Sequence, residues 1–296
     1  MRDAVTNYPQ AAEAQGIGEK MRSAFAALYL NGEADNLPPL TALSLYDEFR
    51  DLIPPGDTGD AVISKLVDRL VSVDLLDRAA ALLKTQIDTR LKGAALADAV
   101  NRLSVIHLLA RQPENALALL NRRVPPEATA VALGQRRQLL ARTLGELTRY
   151  KEALALLEGD TTADAERLRA EIGWRTQNWP MAAAAFGKLV PPDNQGLTDG
   201  DRQTILRLGI AHALSGNVAG LQDLRKKYTP AMAQSAFKES FDLVTAPGVG
   251  PTVDLRTITR HFTGVDQFRA FMTSYRDQLL TRKDSAVKPA VPKSNS

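Results

Sequence analysis

Cysteine is absent from this 296-residue sequence, which excludes disulfides, thiolate chemistry and cysteine-ligated metal sites. Aromatic residues make up only 5% of the chain, and the 44% hydrophobic content is carried by Ala and Leu, a composition of helix formers. No run alternates Val, Ile, Thr and aromatic residues between hairpin turn signals, which argues against a sheet. An uninterrupted apolar run of about 18 residues, long enough to span a bilayer, is also missing. The opening MRDAVTNYPQAAEAQG lacks the apolar core of a secretory signal, so the chain as written is expected in the cytoplasm. Neither sign of charge is in large excess, since 37 basic and 34 acidic residues leave a net +3. The basic clusters Arg122–Arg123, Arg136–Arg137 and Arg225-Lys226-Lys227 are short and set among acids, a pattern of solvated helix faces more than of a nucleic-acid footprint.

Signatures of catalysis are equally scarce. Of the three histidines, His107, His212 and His261, none has a histidine or carboxylate at i+3 or i+4 in a ligand-like pair, so no zinc motif exists. The segment GDTGD at Gly56 to Asp60 has no Gly-Lys-Ser/Thr and follows no strand, which makes it a helix-start turn and not a phosphate loop. PGVGP at Pro247 to Pro251 reads as a rigid turn, and no Gly-x-Ser-x-Gly elbow or Asp-rich calcium ladder occurs. Adjacent acids such as Asp47-Glu48, or Asp199 with Asp201, belong to loops or polar faces. The expectation is a non-enzymatic chain with no cofactor and no bound metal.

What is present is a repeat. RYKEALALLEG (Arg149 to Gly159) places apolar residues on one helical face around the small anchor Ala153. The same anchor recurs as Ala79 in LLDRAAALLKTQ, Ala116 in RQPENALALLNRR, Ala182 in NWPMAAAAFGKLV and Ala219 in SGNVAGLQDLRKKY, at steps of 37, 37, 29 and 37 residues. Before each anchor helix lies a second apolar-periodic segment: Ala61–Val73, Ala95–Ala110, Leu133–Leu147, Ala163–Gln177 and Arg202–Gly216. Pro- and Gly-containing stretches at Val124 to Ala128, Gly159 to Asp164 and Val190 to Asp201 separate successive pairs. Within a pair the turns are tight, as at Arg111-Gln112-Pro113-Glu114.

This pattern resembles the tetratricopeptide repeat (TPR) family and its TPR-like relatives over roughly Asp57 to Tyr228. Tyr150-Lys151-Glu152-Ala153 and Trp179-Pro180-Met181-Ala182 match the family's Tyr-x-x-Ala start of the second helix. The small residue expected before the anchor is present as Ser104, Ala141 and Ala170, whereas Val67 and Arg207 depart from it. The resemblance implies an all-α chain folded as a right-handed α-solenoid of stacked helix pairs. It also implies a concave groove lined by first helices, at Asn101, Gln138, Arg142, Arg167, Glu171 and Arg175, for another protein or a peptide. Its arginines would suit an acidic peptide. The paired Lys and Asn of the family's carboxylate clamp are missing, which disfavours capture of a C-terminal carboxylate.

The expected organisation is thus N-terminal helices and a partial repeat over 1–56, a TPR-like array over 57–228, capping helices over 229–281 and a disordered basic tail over 282–296. The cap is expected to use the aromatic stripe Phe268, Phe271, Met272, Tyr275 and Leu279. DAVTNYPQAAEAQG reads as the tail of a repeat whose beginning is missing, which predicts the C-terminal part of a larger bacterial protein, envelope-associated or periplasmic if exported. A sticky first edge then leaves self-association open. The function expected is a protein-binding scaffold; the alternative is a regulatory or substrate-recognition module of an enzyme whose catalytic part lies elsewhere. A third reading, nucleic-acid binding through the arginines and the tail, predicts salt-sensitive association.

Overall fold

The structure is a computed structural model and describes residues 12–246. Thirteen α-helices and two short 3-10 helices make up these residues, with no strand among them. In chain order the helices are α1 (Ala12–Leu30), α2 (Pro39–Glu48), α3 (Asp57–Ser72), α4 (Leu76–Thr89), α5 (Gly93–Leu109), α6 (Pro113–Leu120) and α7 (Ala130–Glu146). They continue as α8 (Tyr150–Leu156), α9 (Ala163–Arg175), α10 (Trp179–Leu189), α11 (Asp199–Leu214), α12 (Val218–Met232) and α13 (Lys238–Val244). Contacts divide the described residues into two compact units, the first ending at Arg136 and the second beginning at Arg137.

Five helix pairs are closed by one and the same turn. At each, a residue in the left-handed region ends the first helix: Asp74 (φ 64°), Arg111 (58°), Thr148 (59°), Gln177 (57°) and Gly216 (71°). Its N–H returns three residues, and the next N–H returns five, as in Arg111 to Leu108 (3.1 Å) and Gln112 to His107 (2.8 Å). This double closure satisfies carbonyls that a helix end otherwise leaves open. The residue making the longer bond, Leu75, Gln112, Arg149, Asn178 or Asn217, is at once the N-cap of the second helix, so one residue closes one helix and opens the next.

The turns fix the repeat register, and they correct one step of it. Ala79, Ala116, Ala153 and Ala182 each donate to the N-cap carbonyl and are fully buried. In the fifth pair that place belongs to Leu221, which donates to the Asn217 carbonyl at 3.2 Å, whereas Ala219 is exposed. The last step is therefore 39 residues. The two-residue shift also removes the departure at Arg207: the small residue of the fifth first helix is Gly209, where an added Cβ would lie 3.2 Å from Leu224 and 3.3 Å from Val244. Backbones come close in the fourth pair, where a Cβ on Gly173 would sit 2.8 Å from the Ala182 nitrogen.

First and second helices differ in how much of their surface is covered. Seven consecutive residues of α11, Ile205 to Ala211, are buried, as are Leu103 to Ile106 of α5 and Ala170 to Trp174 of α9. The second helix α4 buries only the stripe Ala79, Leu82, Leu83, Gln86 and Ile87. The first helices α5, α9 and α11 are thus covered on several sides, whereas α4, like the first helix α3, is covered mainly on one.

The first unit packs Val62, Ile63, Leu66 and Leu70 of α3 against Leu83 and Ile87 of α4 and Leu103 and Ile106 of α5, with Phe25, Tyr29 and Tyr46 covering α3 from the N-terminal side. Tyr29 donates to the Ala42 carbonyl at 2.8 Å, and burial pushes its pKa up to about 12. The sequence MRSAFAALYL lies inside α1, and the proline-bracketed segment Pro38 to Pro55 forms α2 followed by a 3-10 turn. The second unit centres on Trp174, stacked edge-on against Trp179 (5.3 Å) and Phe186 (6.0 Å), and on Ile205, Leu206, Leu224, Tyr228 and Phe241. Helix α12 runs through Pro230 to Met232, so the second helix of the fifth pair extends beyond Tyr228. The expected aromatic cap, the Tyr8-Pro9 remnant, His261 and the basic tail lie outside the described residues.

Candidate interaction face of the first helices

Counting back from the left-handed residue of each turn shows how the second unit places its charges. Arg142 on α7 and Glu171 on α9 both stand six residues before it, and Glu146 and Arg175 both stand two before it. Each helix thus carries an i,i+4 pair, and the order of signs is reversed between them. Equivalent positions on the two first helices therefore meet as opposite charges. Arg142 Nη1 hydrogen-bonds Glu171 Oε2, and Arg175 Nη2 lies 2.6 Å from Glu171 Oε1. Glu146 Oε1 sits 3.6 Å from both Arg142 Nε and Arg175 Nη2.

This quartet carries no net charge and little solvent. The side chains of Arg142 and Glu171 are 5% and 4% exposed, those of Glu146 and Arg175 15% and 27%. Attraction in so dry a place offsets the cost of desolvating four ions only while every partner is present. Removing one leaves an uncompensated buried charge. Arg142 and Glu171 consequently serve the helix contact itself, and Arg175 is the member nearest to water.

The other sequence-derived residues lie outside this cluster. Arg167 is 58% exposed and pairs with Asp164 one turn away at 2.7 Å, a surface contact of little strength. Gln138 donates to Asp160 Oδ2 and Thr162 Oγ1, both at 3.1 Å. Burial pushes the Asp160 carboxyl up, but the bonds from Thr162 and Gln138 outweigh it and hold the group below its ordinary range. Asn101 belongs to the first unit, where it is buried and donates to the Ala132 carbonyl at 2.9 Å. Of the six, Arg142, Glu171 and Arg175 are brought together, Gln138 and Arg167 share their helices, and Asn101 stands apart.

Two features escaped sequence reasoning. Glu146 completes the quartet, and its signal is the reversed Arg-x-x-x-Glu and Glu-x-x-x-Arg spacing at equivalent repeat positions. Glu166, 2% exposed, receives Arg169 at 2.7 Å and Lys188 at 2.8 Å through one oxygen.

The arginines also explain where the basic clusters go. The Arg136 guanidinium reaches the carbonyls of Leu119 (3.3 Å), Leu120 (2.6 Å) and Arg122 (2.7 Å), closing the C-terminus of α6; burial lowers its pKa. Arg169 does the same for the Leu157 carbonyl after α8, and Arg225 for Thr245 after α13 at 3.1 Å. In the first unit Arg69 binds the carbonyls of Ala34, Asp35 and Leu37, and Arg90 binds Pro54 and Asp60. A cation at a helix C-terminus meets both free carbonyls and the negative end of the dipole. Two members of the expected solvated clusters, Arg136 and Arg225, are caps of this kind, whereas Arg122 is half exposed and faces Asp88 at 3.6 Å.

Among the described residues no group of three His, Cys, Asp or Glu side chains is placed to hold a metal, and no helix is long and apolar enough to cross a membrane. Comparison of the sequence with protein-family models and with curated proteins returns no match.

Proposed function

We propose that the chain is a non-enzymatic protein-binding scaffold, with its helix pairs stacked as a right-handed, TPR-like α-solenoid whose first helices face a partner peptide or helix. The observation that carries this reading is the repetition of one turn. Five pairs close with the same two backbone bonds and a buried anchor at the same position, Ala in four and Leu221 in the fifth, and a chain built from such units extends by adding pairs. In the second unit the ion quartet gives α7 and α9 a fixed separation and register. Arg167, exposed on α9, then presents its guanidinium to a partner's carbonyls or carboxylates, Gln138, half-buried on α7, presents its amide oxygen to a partner's donor, and Arg175 contributes its accessible edge.

A photo-crosslinking residue placed at Gln138 or Arg167, against a control at Lys151 on the second helix α8, tests the assignment in extracts of the source cell. Adducts confined to the first-helix positions and lost in Arg167→Glu support it. A chain that stays a monodisperse monomer with no adduct, or one that crosslinks through Lys151 alone, overturns it.

A further inference from the structure

We propose that the turn joining α11 to α12 is an acid-sensitive latch, in which protonation of His212 releases the N-cap of α12. The argument starts from two histidines in equivalent places. His107 and His212 each accept, through the backbone carbonyl, the N–H of the N-cap residue that follows, Gln112 and Asn217, both at 2.8 Å. Each ring also turns Nδ1 toward the side chain of that residue, 2.8 Å from Gln112 Oε1 and 3.1 Å from Asn217 Nδ2.

The polarity of the two contacts is opposite. Asn217 Oδ1 accepts the Gly220 backbone N–H at 2.9 Å, and a backbone amide can only donate. The Asn217 nitrogen must therefore face His212, whose Nδ1 is the acceptor and whose proton resides on Nε2. Gln112 is oriented the other way, because its nitrogen faces the Asp77 carboxylate at 3.5 Å and its oxygen also receives Asn115 Nδ2 at 3.1 Å. His107 Nδ1 is consequently a donor. A proton added to His107 enters at Nε2 and leaves that bond in place. One added to His212 enters at Nδ1 and sets two donors face to face.

Relief requires Asn217 to turn its amide over, which drops the Gly220 N–H. Space for any other response is scarce, since a Cβ on Gly220 would lie 2.7 Å from His212 Cε1 and 2.9 Å from Asn217 Nδ2. The half-buried ring, the Asn217 amide and the start of α12 therefore move together. Among the charged groups on the packing elements, Lys188 of α10 pairs with Glu166, Arg225 of α12 with the Thr245 carbonyl and Lys238 of α13 with Asp242, while Asp223, Lys226 and Lys227 of α12 and Glu239 of α13 carry the remaining charges. Burial alone lowers the His212 pKa. Its folded value lies below the unfolded one, so the contribution of the neutral ring is fully present above the ordinary histidine range near pH 6.5 and is lost as pH falls through the folded value.

Long-range nitrogen–proton correlation in the imidazole rings at pH 7.5 reads both tautomers directly. The expected result is Nε2–H for His212 and Nδ1–H for His107. Amide exchange at Gly220, corrected for intrinsic rate, is then compared at pH 7.5 and 5.5 with Ala165, whose N–H is held by the Thr162 hydroxyl. Gly220 protection should fall about fivefold more than that of Ala165, the scale of losing one N-cap, and His212→Gln should abolish the difference. A proton on His212 Nδ1 at pH 7.5, or Gly220 protection that tracks Ala165, overturns the proposal, and both readings come from the unaltered chain.

Discussion

In the first unit, Arg102 of α5 reaches across to α3, where it binds Ser64 and Asp68, and the pair keeps 17% and 24% of its side-chain surface in water. In the second unit, Arg142 of α7 reaches across to Glu171 of α9, and both are nearly dry. Asp68, Arg142 and Glu171 all stand six residues before the left-handed residue of their turn, so the same repeat position carries charge in both units. The difference lies in what surrounds it. Where the ion keeps an edge in water, its partner is a local convenience; where it is enclosed, four charges have to be assembled together or not at all. A polar residue on a first helix is thus no sign of a binding groove until its exposure is known.

The sharpest way to break this comparison is to remove one arginine from each unit. Arg142→Met should cost about 3–5 kcal/mol in urea unfolding, because Glu171 is left buried without its main partner. Arg102→Met should cost about 1 kcal/mol or less, the scale of an ion pair that keeps contact with water. The double variant Arg142→Met with Glu171→Leu should recover most of the loss. Recovery that fails would mean that the quartet does more than cancel its own charges.

Packing provides the next largest effect. Gly173→Val pushes a side chain into the Ala182 backbone and should destabilise by about 1–3 kcal/mol or more, whereas Gly134→Ala on α7, where nothing lies within 4 Å of the added carbon, should leave the thermal midpoint unchanged or slightly raised. In the first unit, Tyr29→Phe deletes the bond to the Ala42 carbonyl and should cost about 1 kcal/mol, measured by the same denaturant titration. The smallest change is a gain. Thr148→Gly relieves a β-branched residue held at φ 59° and should stabilise by about 0.5–1 kcal/mol, while Gly216→Thr in the fifth turn should lose a similar amount.

Much of this architecture was legible in the sequence because its causes are local. Ala and Leu at helical spacing, Pro and Gly between pairs, and a small residue at four of the five anchors each act within a few residues, and the observed first helices begin within about four residues of the segments that predict them. The last register step was misread because Ala219 imitates an anchor two residues ahead of Leu221. Only the backbone closure from Asn217 to His212 separates them. The interaction face was legible in residue type but not in exposure. Arg142 and Glu171 look like a polar groove in sequence, and what encloses them is the reversed charge order on a helix 29 residues away. The clusters around Arg136 and Arg225 look solvated in sequence for the same reason: a guanidinium that ends a helix differs from one in water only by which carbonyls lie nearby.

The repeated turn also bears on how the chain reaches its folded state. Each closure links residues at most five apart, and each pair buries its anchor against a helix that directly precedes it. Little loop entropy has to be surrendered before such contacts form. Collapse can therefore begin at any of the five turns, and rate constants for refolding should lie toward the fast end for a chain of this length, with αL glycine substitutions accelerating the step if the turn is already formed at the barrier. The device that punctuates the chain is in that sense also its set of starting points.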